Sequence, residues 1–94
     1  MRADPLRDEL IVYIERDPER YDRALDRLYE RARRQYEAWV LVDHWLIMGA
    51  PWRAYRQAEV ARYWGISEPA VHKLRMKART YITSYMKASR RTGG

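Results

Sequence analysis

The sequence contains no cysteine, phenylalanine or asparagine, and only four glycines and two histidines in 94 residues. Without cysteine there is no disulfide framework, no thiolate zinc site and no thiol nucleophile. The two histidines, His44 and His72, stand 28 residues apart and assemble no metal-ligating constellation. No glycine-rich phosphate loop is present. No apolar run approaches the length of about 18 residues that a membrane span requires. The longest comparable stretch, Ala38 to Ala50, is interrupted by Asp43 and His44. The first nine residues include acids and lack an apolar signal core, so a cytoplasmic location is expected. A chain of this size buries only about two-thirds of its unfolded surface, which leaves little for a deep catalytic cleft. No enzyme activity, metal or cofactor is expected.

Acidic residues are also scarce, but only in the second half. Residues 1–48 carry nine basic and eleven acidic side chains, whereas residues 49–94 carry ten basic and two acidic. The net charge of +6 is thus the sum of −2 and +8. Such asymmetry points to an anionic partner for the second half. Arginine dominates the basic residues, with sixteen against three lysines.

The periodicity predicts an all-α chain. Asp4-Pro5 and Asp17-Pro18 each place a capping side chain before a proline at the first helical position. The first helix runs to about Arg16, with Leu6, Leu10, Tyr13 and Ile14 on one face. From Pro18 the apolar positions are Tyr21, Leu25, Leu28, Ala32, Tyr36, Trp39, Val42 and Leu46. Steps of three and four mark a long amphipathic helix reaching about Met48, with a possible break between Arg33 and Tyr36. Gly49-Ala50-Pro51 ends it and opens a loop through Trp52 and Tyr55. A short helix is expected over Arg56 to Trp64 and a second from Ser67 to about Ala88, with a disordered tail from Ser89. Trp39, Trp45 and Trp64 fall at core spacing, while Trp52, beside Arg53 and Tyr55 in the loop, either covers the core or presents an aromatic-basic edge to a partner. His44 reads as a partly buried or partner-facing helix residue.

The informative run is Gln57 to Arg79, QAEVARYWGISEPAVHKLRMKAR. It reads as a helix, a glycine turn at Gly65, an apolar plug at Ile66, a cap at Ser67 and a second helix. That order is a helix-turn-helix. Ala61 is small where the helices cross, and Ile66, Val71 and Leu74 lock the second helix in place. The outward face then holds Glu68, Pro69, His72, Lys73, Met76 and Lys77. In a DNA-binding arrangement the start of this helix enters the major groove. Base reading falls to Glu68, Pro69, His72, Lys73 and Met76. Phosphate contacts fall to Arg53, Arg56, Arg62, Arg75, Lys77 and Arg79, with loose attraction from Arg90 and Arg91. An ordinary helical hairpin can carry the same apolar–Gly–apolar–Ser pattern; the +8 charge of this half weighs against that reading.

Residues 56–79 resemble region 4 of bacterial sigma-70 factors, the helix-turn-helix that reads an upstream promoter element. The matching run is AEVARYWGISEPAVHKLRMKA, where the family has a helix, Gly-(Ile/Val)-(Ser/Thr), and a recognition helix. By this resemblance Glu68, Pro69 and Lys73 occupy base-contacting places, although Pro69 departs from the polar residue usual there. Nothing resembles the segments with which a complete sigma factor binds core polymerase. The resemblance therefore implies a stand-alone transcription regulator of phage or mobile-element type.

The expectation is an all-α helical bundle with a C-terminal helix-turn-helix and a long N-terminal amphipathic helix. Residues 1–50 would serve oligomerisation or protein docking, and residues 51–94 would bind DNA, the two forming one compact domain. Double-stranded DNA is the expected partner, with a homodimer or higher homo-oligomer, or RNA polymerase, supplying further specificity, and no membrane. Two alternatives keep the fold: a DNA-packaging (small terminase-like) or replication-initiation subunit, and an RNA polymerase-binding protein-interaction module.

Overall fold

A computed structural model describes the backbone of residues 5–92 and the side chains of residues 9–88. Across the described residues the chain is helical, with no strand. Helix α1 (Pro5–Arg16) and helix α2 (Pro18–Arg31) are separated at Asp17. Asp17 Oδ1 accepts the Arg20 backbone N–H at 3.1 Å, the capping role its place before Pro18 predicts. The equivalent cap expected of Asp4 lies outside the described residues.

The long helix expected from Pro18 to Met48 does not form as one piece. It breaks at Ala32, where φ is −153° and ψ is 80°, one residue before the expected interval. Neither glycine nor proline stands there, so the cause is packing rather than local chemistry. A straight helix of that length would extend about 46 Å and could offer only one stripe to a core. The turn at Ala32 instead brings Tyr21 and Leu28 of α2 into one cluster with Trp39.

Helix α3 (Arg33–Ala38) passes directly into a π-helical stretch (Trp39–His44) and a last α-turn, α4 (Trp45–Ile47). Gly49 then adopts φ +79°, and Pro51–Arg53 form a short 3₁₀ turn. The loop is anchored back on the π-helical stretch, where the Leu41 carbonyl accepts the Tyr55 N–H at 2.8 Å.

Helix α5 (Gln57–Trp64) starts with Glu59 Oε1 accepting the Arg56 backbone N–H at 2.8 Å. It stops at Gly65, whose left-handed φ of 69° costs a glycine little. The Ile66 N–H bonds back to the Ala61 carbonyl, closing the α5 terminus, and Ser67 Oγ accepts the Ala70 N–H at 3.2 Å. Helix α6 (Glu68–Thr92) outlasts the expected end at Ala88, so Ser89 to Thr92 continue the helix instead of forming a disordered tail. Gly93 and Gly94 lie outside the described residues, as do the side chains of Arg90 and Arg91.

Two apolar clusters organise the chain. The larger joins Leu10, Ile14, Tyr21, Ala24, Leu28 and Trp39 to Ala78, Ile82 and Met86. The smaller joins Val42 of the π-helical stretch to Val60, Ala61 and Val71. Helix α6 therefore uses its first turns to close on α5 and its later turns to close on α1, α2 and α3. Ile66 departs from expectation: it is 39% exposed and is not among the residues of the smaller cluster.

Candidate nucleic-acid interface

The register of the first half of α6 follows from its buried anchors Val71 and Ala78, which are both fully inaccessible. With those positions turned inward, Glu68, Pro69, His72, Lys73 and Lys77 are exposed and Met76 is half-buried. Glu68, Pro69, His72, Lys73 and Met76 line one shallow depression. The five side chains expected to read bases are thus brought together. The sixth lining residue, Gln57 at the start of α5, was not among them.

The basic residues divide differently from expectation. Arg56, Arg62 and Lys77 are exposed and free to meet solvent anions. Arg53 is also exposed, but its guanidinium lies 4.1 Å from the centre of the Trp45 ring, which fixes its direction. Arg79 is half-buried, with Nη2 3.2 Å from Met76 Sδ. Arg75 is the correction. Its Nε and Nη2 donate to the two oxygens of Asp43 at 2.7 and 2.8 Å, and its Nη1 donates to Gln57 Oε1 at 2.6 Å. The guanidinium is drawn inward to compensate a buried carboxylate, so Arg75 is a structural residue rather than a phosphate ligand. The hydrogen bond from Arg75 to Asp43 raises the already high pKa of the guanidinium, against burial, and it stays charged.

The sequence held a signal for this pairing. Asp43 stands in the most apolar part of the chain and is only 5% exposed. A carboxylate so placed requires a cation, and periodicity alone does not say that the cation comes from α6.

A second polar cluster lies under the N-terminal half. Trp39 Nε1 donates to Tyr21 Oη at 3.0 Å, and Tyr21 Oη lies 2.8 Å from His44 Nδ1. Burial pushes the Tyr21 phenol up and holds His44 below its ordinary value of 6.5. None of these three side chains lines the depression on α6. Among the described residues, no three or more His, Asp or Glu side chains are grouped to hold a metal ion. No helix among them is long and apolar enough to cross a membrane.

The aromatic residues also sort by position. Trp39 is buried, and Trp45 and Trp64 are half-buried beneath Arg53 and Arg34. Trp52 is 80% exposed and Tyr63 is 88% exposed, so both face outward. Among protein-family models, curated proteins and solved structures, none matches this chain.

Proposed function

We propose that the protein is a sequence-specific double-stranded DNA-binding regulator of transcription, with α5, the Gly65 turn and α6 acting as a helix-turn-helix of sigma region 4 type. The observation that carries this reading is the convergence of Glu68, Pro69, His72, Lys73 and Met76 on one depression at the start of α6. Side chains at the start of a recognition helix are the ones that reach base edges in the major groove. Arg56, Arg62 and Lys77 supply the sequence-independent attraction to phosphate, and Arg53 adds a cation held in place by Trp45. The N-terminal helices serve as the dimerisation or RNA polymerase-docking element, since one such module reads few base pairs.

Titration against duplex DNA over a range of salt concentrations tests the reading. The affinity should fall steeply with salt. Arg62→Ala/Lys77→Ala should lower the log–log slope by about 2, since each phosphate left without its cation removes about 0.9. Binding that is absent or indifferent to salt would overturn the reading.

One observation favours a second reading, a protein-interaction module. Leu41, Tyr55, Val60 and Tyr63, together with Glu59, line a groove formed by the π-helical stretch, the loop and α5. Tyr55 is 54% exposed there. Co-purification with RNA polymerase without any affinity for duplex DNA would select that reading.

A further inference from the structure

Gln57 does not present an ordinary amide. The Arg75 guanidinium has donors only, so the Gln57 atom that lies 2.6 Å from Nη1 is the carbonyl oxygen Oε1. Arg75 is itself immobilised by the two bonds to Asp43. The oxygen end of the amide is therefore held inward, and the end left for an outside partner is the NH₂ group. A free glutamine can donate and accept side by side, which suits adenine. With one lone pair of its oxygen taken and that end turned toward Arg75, this one is set to donate.

The surroundings narrow the partner further. The depression that Gln57 shares with α6 is lined mainly by apolar surface, with Pro69 and Met76 among its walls. In the major groove, thymine alone combines an acceptor, O4, with a methyl group. Guanine and adenine also present acceptors, but without a methyl, and cytosine presents only an amino donor that would oppose the Gln57 NH₂.

We propose that this depression is a thymine-reading subsite, with Gln57 Nε2 donating to thymine O4 and the thymine methyl resting on Pro69 and Met76. The inference builds on α6 being the groove-entering helix, and assigns a base class to one place on it. Gln57 contacts the base; Arg75 and Asp43 are positioning residues that set which end of the amide it meets.

The test uses the full chain and duplexes selected by it from a randomised library. The selected sites should share a thymine whose replacement by deoxyuridine weakens binding about fourfold, the effect of one methyl group. Cytosine at that position should weaken binding more. Gln57→Ala should lose the preference. Gln57→Glu keeps an oxygen for Arg75 and turns the free end from donor to acceptor, so its preference should move to adenine or cytosine. That ratio of affinities is indifferent to folding and to overall charge. Equal affinity for deoxyuridine and thymine, or an unchanged base preference in Gln57→Glu, overturns the subsite while leaving DNA binding intact. Failure to select any duplex overturns the DNA-binding reading, and the subsite with it.

Discussion

Asp43 grips Arg75 with two hydrogen bonds across 32 residues of sequence, joining the π-helical stretch to α6. The carboxylate is only 8% exposed and the guanidinium 19%. Removing one partner strands the other charge in a poorly solvated place. Asp43→Ala should therefore destabilise the fold by about 3 kcal/mol, the lower end for breaking a buried pair. Asp43→Leu/Arg75→Met, which removes both charges, should recover most of that loss. Urea denaturation of the three proteins measures the coupling, and a double variant as unstable as Asp43→Ala would contradict it.

Tyr21→Phe removes one hydroxyl and leaves the Trp39 indole N–H buried without its acceptor. An orphaned buried donor costs about 1–3 kcal/mol. The expected result is a lower melting temperature with unchanged helix content by circular dichroism. A stability equal to that of the unmodified protein would show the hydroxyl to be dispensable.

Gly65→Ala should cost about 1–2 kcal/mol through the left-handed backbone alone. An added Cβ at this position meets no atom within 4 Å, so no steric clash contributes. Gly65→Asn should cost less, because asparagine tolerates this conformation better. The denaturation midpoint should shift without a change in slope; a large change in slope would point to a disturbed denatured state instead.

The His44 ring gives the stability a defined pH dependence. Because burial lowers its pKa in the folded protein, the unfolded chain takes up the proton first as pH falls. Stability should hold above about pH 7 and decline as pH falls through 6.5 toward the lower folded value. Thermal melts between about pH 7.5 and about pH 5.5 would show it. His44→Gln should flatten that limb, and a variant retaining the full decline would assign it to another group.

Legibility in the sequence followed the range of the interaction. The Asp17 cap, the Gly65 turn and the Ser67 cap are readable because each depends on residues within four positions of one another; the exposure of Ile66 is not. The outward face of α6 was readable from its apolar period, since burying Val71 and Ala78 leaves Lys73 and Lys77 no other place. A break near Arg33 to Tyr36 is legible, but its place at Ala32 is not, because alanine favours a helix. Arg75 escaped correct assignment for another reason. Its position on α6 suits a groove-flanking cation equally well, and its partner lies far upstream. The role of Gln57 is invisible in the sequence because it depends on that partner.

The pairing of Asp43 with Arg75 and of Glu9 with Lys87 also changes where the charge resides. Each pair cancels one acid of residues 1–48 against one base of residues 49–94. With both closed, the first 48 residues stand at zero and the remainder at +6, the net charge of the whole chain. An approaching polyanion then meets a neutral N-terminal segment and a cationic C-terminal one, with no acidic excess to turn it away.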